Sequence, residues 1–270
     1  MNHEFPNTGP VSADLRIASG TLTVDAGDYP SITVMVEPHD SSAASKEAAE
    51  QTRVSLDGKH LIVHTPQYRG WKLFSWPKLR ITVQVPGEST LTVKSATADV
   101  TCTGVYNDLV AITASGDVQV DRVIKDASVN SASGDVRLGW IGGDVRIHAA
   151  SGDVTVQHVG RDIDTTTASG DIDIIRADRG VRAKTASGDI EIGVAHQGDV
   201  RIHTASGDVS IGIAAGTGVW LDLATASGRT TSDLNTGDGN PPPSGATLNV
   251  KVRTASGDIA LRRVVTARQS

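Results

Sequence analysis

Apolar and polar residues alternate along much of this chain, and the alternation restarts at fixed intervals. Val118 and Val120, Val136 and Leu138, Val154 and Val156, Ile172 and Ile174, Ile190 and Ile192, and Val209 and Ile211 each stand two apart. Period-2 alternation in Val and Ile marks a strand with one buried face. A second pulse follows nine residues later: Asp126 echoes Asp117, Asp144 echoes Asp135 and Asp162 echoes Asp153, followed by pairs such as Val145 with Ile147 and Val200 with Ile202. Each period therefore predicts two strands and two turns, with Val123, Ile141 or Val159 where the path bends. A third short side per period fits the same pattern.

The period itself is spelled by a tetrapeptide. Ala-Ser-Gly-Asp begins at Ala114, Ala132, Ala150, Ala168 and Ala186, every 18 residues, and a worn copy begins 18 residues earlier at Ala96. Later intervals lengthen to 19 residues (Ala205), 21 (Ala226, where Arg229 replaces Asp) and 29 (Ala255), which predicts bulges and loops. Fixed self-similarity at this period predicts an all-β fold, a β-solenoid or β-helix of about 18-residue coils. Stacked about 4.8 Å apart, nine motif starts would span roughly 40 Å.

The motif letters are those of a sharp corner. Gly116, Gly134, Gly152, Gly170, Gly188, Gly207 and Gly257 are expected to supply positive φ there. Asp117, Asp135, Asp153, Asp171, Asp189, Asp208 and Asp258 are expected to accept backbone N–H groups. Stacked carboxylates repel by roughly 1 kcal/mol at coil spacing in water, so those hydrogen bonds must offset the repulsion.

The first 95 residues read as a β-rich capping region continuous with a solenoid over 96–270. Strands are expected over Val11–Ile17, Thr21–Asp25 and Ser31–Glu37, a short helix over Ala43–Gln51, and a hairpin over Arg53–His64 turning at Asp57-Gly58. Tyr68, Trp71, Phe74 and Trp76 cluster within nine residues and are expected to plug the mouth of the solenoid, whose bare end needs a cap. Nearby Arg69, Lys72 and Lys78 support a partner or membrane contact as the alternative. A loop is expected near 232–246, around Asn240-Pro241-Pro242-Pro243, with Asn249–Leu261 as the last coil and terminal edge.

Composition narrows function. Hydrophobic residues make up 38%, aromatics only 3%, and there are 28 glycines, so the core is built from small branched side chains. Twenty-five basic against 31 acidic residues leave a net charge of −6, too mild for a nucleic-acid partner and too mixed for a polybasic anchor. Cys102 is the only cysteine and falls on an inward position, as a small hydrophobe. There is no apolar run long enough to span a membrane, and Met1-Asn2-His3-Glu4-Phe5 does not open a signal peptide. The expected compartment is the cytoplasm.

Chemistry is sparse. Metalloprotease, nucleophile-elbow and phosphate-loop motifs are missing, and Gly adjacent to Asp does not reproduce the calcium-binding nonapeptide. His148 and His203 occupy similar positions three coils apart, roughly 14 Å, too far to share a metal. Asp residues on adjacent coils would sit near the spacing of a retaining glycosidase pair, but they mark every corner alike, whereas a site should break the repeat. No catalytic residue, cofactor or metal is expected.

Repeated T-A-S-G-D-[VI]-x-[VI] coils, preceded by Val85-Pro86-Gly87, resemble the bacterial putative-adhesin family of β-strand-repeat proteins, a domain of unknown function. The resemblance runs from about Val11 to Val264. It implies a bacterial β-solenoid and ties some relatives to cell-envelope stress.

The function expected is non-enzymatic: an extended surface for a protein partner, through outward residues such as Arg137, Thr155, Asp173, Glu191 and Ser210. The alternative is a self-assembling scaffold joined through solenoid ends. A polysaccharide-active enzyme ranks last.

Overall fold

The computed structural model describes residues 1–66, 77–234 and 247–264, which form almost entirely strands. They divide into two compact units, Met1–Leu138 and Gly139–Ser270.

In unit 1, β1 (Asn2–Pro6), β2 (Ser12–Gly27) and β3 (Ser31–Pro38) are followed by α1 (Ala43–Glu50), the one helix among the described residues. Ser42 caps α1, its Oγ accepting the Ser45 N–H at 3.1 Å, and Ala48 and Ala49 are buried. The hairpin of β4 (Arg53–Asp57) and β5 (His60–His64) leads to β6 (Leu79–Pro86) and the long β7 (Ser89–Ser115). β2 runs parallel to β5 and β6 on one side and to β7 on the other. Coil-like stacking thus reaches back to residue 12, with Ser12–Ala26 in register with Thr90–Gly104. Then β7 pairs in parallel with β8 (Val118–Val123) and β9 (Ala127–Ser133).

The units divide within β10 (Val136–Ile141). Unit 2 continues through β11 (Val145–Ser151), β12 (Val154–Val159), β13 (Ile163–Thr166), β14 (Ile172–Ala177), β15 (Val181–Ser187), β16 (Ile190–Ala195), β17 (Gly198–Ser206), β18 (Val209–Ala214), β19 (Gly218–Ser227), β20 (Thr230–Ser232), β21 (Thr247–Ser256) and β22 (Ile259–Val264). Two parallel ladders result, one through β11, β13, β15 and β17, the other through β12, β14, β16 and β18. Inward Val and Ile from both are essentially inaccessible to solvent, as at Ile147, Val156, Ile174, Ile192, Ile202 and Ile211. Each such side chain contributes roughly 1.5–3 kcal/mol when fully buried. Alternation breaks between Val156 and Val159, where the coil bends and two successive residues face outward. The 19-residue interval enters in the turn between Ala195 and Val200, since Ala177 pairs with Ala195 but Val181 with Val200, and the register shift between Ile192 and Ala195 returns the next coil to an offset of 18.

The end of unit 2 departs from the sequence expectation. β21 lies between β17 and β19, pairing Val250 with Val200 on one side and Leu221 on the other. β22 likewise lies between β18 and β20. The last coil in sequence is therefore interior, and the terminal edge is Gly218–Ser232 rather than Asn249–Leu261. The reason is physical: Leu248, Val250, Val252 and Ile259 are fully buried there, a match for an interior coil. Tyr68, Trp71, Phe74 and Trp76, and most of the expected loop, lie outside the described residues.

Candidate functional site

Inward positions are spent on the core, so chemistry falls to the corners and the outward columns. At the corners, Gly188 and Gly207 have φ of +143° and +144°, and a Cβ on Gly207 would stand 2.0 Å from the Gly188 carbonyl oxygen. Only glycine satisfies both demands. Each corner Asp reaches across to the next coil: Asp153, Asp171, Asp189 and Asp208 accept, through Oδ1, the backbone N–H of Asp171, Asp189, Asp208 and Asp258 at 2.7–3.0 Å. In unit 1 Asp99 and Asp117 do the same for Asp117 and Asp135. These carboxylates are committed to holding coils together, which leaves them poorly placed as acid–base pairs.

Two outward sheets remain. On the ladder of β12, Thr155, Asp173, Glu191, Ser210 and Ala260 stand in one column. Arg137, expected in the same row, belongs to unit 1, where it pairs with Asp135 at 2.7 Å and Asp117 at 3.6 Å. Asp173 Oδ1 is buried without a hydrogen-bond partner. Burial, and then the charge of Glu191, push the Asp173 carboxyl above its ordinary range. Two residues on, Ile175 is exposed. Beside it the surface is floored by Gly193 and Gly212, whose missing side chains would meet the carbonyl oxygens of Ile175 and Gly193 at 2.5 and 1.8 Å.

The ladder of β11 is different in charge. One column reads Arg146, Asp164, Arg182, Arg201, Lys251 and Asp222, and the next carries Lys184, His203 and Arg253 in consecutive register. Asp164 is paired with Arg182 at 3.2 Å, and Asp222 with Arg253 at 2.6 Å and Lys251 at 3.6 Å. Partial burial, then Lys184, Arg253 and Lys251, hold the His203 imidazole below its ordinary value. An open cleft of about 600 Å³ runs along the start of these strands, lined by Arg146, Arg179, Arg182 and Arg201 and equally by Asp144, Asp162, Asp164 and Asp199. In sequence these cations are only partly legible on the second pulse: Arg182 and Arg201 stand 19 apart, but Asp164 falls between Arg146 and Arg182, and Lys251 and Arg253 lie beyond the longest intervals.

A third feature breaks the repeat near the bend. His158 Nε2 lies 2.9 Å from Asp178 Oδ2, Arg176 Nε donates to Asp178 Oδ1 at 2.9 Å, and His196 Nδ1 stands 3.6 Å from the same oxygen. Trp140 meets the His158 ring edge-on at 5.7 Å. His158 and His196, 38 residues apart in sequence, are thus drawn together by one carboxylate. Burial would raise Asp178, but hydrogen bonds from His158 and Arg176 and their charge outweigh it and hold the carboxyl low. Among the described residues, no group of three or more His, Cys, Asp or Glu could hold a metal ion. Cys102 is fully buried, and its thiol is pushed up to about 12 by burial and then by Asp121.

Comparison with known proteins follows this geometry. The sequence matches the profile described as Toastrack DUF4097 over residues 13–262. An adhesin from Parabacteroides distasonis, so named as putative, has a similar structure at 10% identity and a TM-score of 0.50, with 96% of each chain covered. A protein from the same organism named as a putative lipid binding protein is similar at 12% identity and a TM-score of 0.50, over 98% of this chain and 96% of that one. At these identities the likeness is one of fold. No curated protein matches the sequence significantly.

Proposed function

The chain belongs to the Toastrack DUF4097 family, and from that premise we propose that it is a non-enzymatic β-solenoid that recognises a protein partner through the sheet bearing Asp173 and Ile175. The observation carrying this reading is a buried, unpartnered carboxylate oxygen beside an exposed isoleucine on a glycine-floored surface. An unsatisfied acceptor next to apolar surface gains most from a partner that brings a donor and covers the patch. The commitment of corner carboxylates to backbone N–H groups supports the absence of catalysis, and similar folds carry adhesin and lipid-binding names rather than enzyme names.

The test is photo-crosslinking from a reactive residue introduced at Thr155, in the native host, compared with the same protein carrying Ile175→Glu. A discrete adduct that disappears with Ile175→Glu supports the reading. An adduct pattern indifferent to that substitution contradicts it.

Self-assembly through coil ends is the second reading, and the exposed Leu221 on the terminal strand favours it. Light scattering over a concentration series separates the two, since end-to-end assembly raises the mass and a partner surface leaves a monomer.

A further inference from the structure

The cationic sheet of unit 2 is a separate surface from the one just described. On its two central columns, Arg146, Arg182, Arg201, Lys251, Lys184 and Arg253 face outward against two carboxylates, Asp164 and Asp222, within a chain whose net charge is −6. Both carboxylates are already engaged by cations of the same sheet. Arg146 and Lys184 form no ion pair among the described residues. The outward column next to these, which ends at Trp220, adds Asp144, Asp162 and Asp199, and these acids are committed too. Asp144 and Asp162 accept the backbone N–H groups of Asp162 and Gly180, Asp144 lies 3.7 Å from Arg161, and Asp199 pairs with Arg201 at 2.8 Å, which leaves Arg146 and Lys184 as the cations of these columns not already engaged among the described residues.

The same sheet carries an aromatic rim. Trp220, on the terminal strand β19, is in register with Asn249 and shares the outward phase of Lys251 and Asp222. It is 76% exposed, and the neighbouring Leu221 at the open end of the core is 42% exposed. Exposure of this size on a tryptophan is unusual for a surface facing only water.

We propose that this sheet docks on an anionic phospholipid bilayer, its arginines and lysines over the headgroups and Trp220 entering the interface at the rim. Cations near an anionic leaflet are each attracted to it, and tryptophan partitions into the headgroup zone, where its apolar body and N–H are both accommodated. Cations spread over several strands in register suit an extended charged surface. A single-stranded nucleic acid would instead favour aromatic rings interleaved among the cations along a groove, whereas here one ring stands at the edge. Docked in this way, the sheet holds the protein on the membrane without crossing it; among the described residues no helix is long and apolar enough to cross.

The experiment is co-sedimentation of the full chain with vesicles of phosphatidylglycerol and phosphatidylcholine in equal parts, and of phosphatidylcholine alone, at low and high salt. Binding to the anionic vesicles alone, weakened by salt, is expected. The double variant Arg146→Glu with Lys184→Glu should lower the partition coefficient at least about tenfold, and Trp220→Ala about threefold or more. Asp173→Asn, on the other sheet, should leave it unchanged, which separates this proposal from the partner-binding reading. Circular dichroism melts establish that the variants are folded. No binding to anionic vesicles, binding unaffected by either cationic-sheet variant, or a salt-sensitive complex with a single-stranded oligonucleotide in place of vesicles would each overturn the proposal.

Discussion

The backbone N–H of Arg229 donates to Asp258 Oδ1 at 2.7 Å, although Arg229 precedes Asp258 by 29 residues. Along the corner ladder each Asp serves the coil stacked after it, and the coil at 218–232 is served by a coil that follows it in sequence. Among the described residues no coil lies beyond it, so none of them needs an acceptor from position 229. Arginine in place of aspartate marks the spatial end of the ladder, and no carboxylate is left there to receive another copy. Asp258→Ala should therefore destabilise by about 1–2 kcal/mol through loss of a charge-assisted bond, Asp258→Asn by less, and Arg229→Ala by almost nothing. Urea denaturation of the three variants checks the order.

Corner glycines should differ sharply in tolerance. Gly207 combines φ of +144° with a backbone oxygen 2.0 Å from where a Cβ would lie, whereas Gly216 has φ of +81° and open space. Gly207→Ala is expected to cost roughly 4 kcal/mol or to abolish folding of unit 2, and Gly216→Ala about 1 kcal/mol from backbone strain alone. Equal losses in thermal melts would mean that the coils do not approach this closely.

Acid should act through Asp178. Its carboxyl titrates below the ordinary value of 3.8 in the folded chain, so the stability it contributes is complete above that value and is lost as pH falls through the lower folded-state one. The pairs are partly exposed, so Asp178→Asn should cost no more than about 1 kcal/mol at neutral pH. Denaturation as a function of pH should show the two proteins converging as pH falls through the lowered folded-state value. A difference that persisted there would assign the effect to packing.

Cys102 should be silent in the native state. With the thiol buried and pushed up to about 12, thiolate is scarce and access is closed. Labelling by a thiol reagent is expected only as the surrounding strands open, at a rate set by unfolding. Rapid stoichiometric labelling under native conditions would contradict its placement.

Much of the fold was legible because stacking writes the same demand at every coil. The spacing from Ala114 to Ala186 fixed the coil length, and the Val154–Val156 and Ile172–Ile174 pairs fixed which faces turn inward. The short helix and the Arg53–His64 hairpin followed from local composition and from Asp57-Gly58. Coil order at the end was not legible by the same reasoning. The registers that align Thr225 and Ser227 with Thr254 and Ser256 would equally align them with Thr204 and Ser206, so motif spacing does not choose between neighbours. Arg229 was the available signal, and it reads as one only once the Asp ladder is known to run between coils. The candidate surfaces were half legible. Thr155, Asp173, Glu191 and Ser210 were recognised as one outward column, but the burial of Asp173 Oδ1 and the convergence of His158 and His196 on Asp178 depend on how the chain bends after Val156.

Coil order underlies the position of Trp220 and the reading of both sheets, and engineered disulfides test it most directly. Thr231 is in register with Ala260, which is in register with Ser210. Thr231 and Ser210 are thus two strands apart, about 9.6 Å, beyond disulfide reach. Under mild oxidation, the variant with cysteines at positions 231 and 260 should form an intramolecular crosslink, and the variant with cysteines at 210 and 231 should not. Crosslinking of 210 to 231, with none between 231 and 260, would mean that the coils stack in sequence order and would contradict the account.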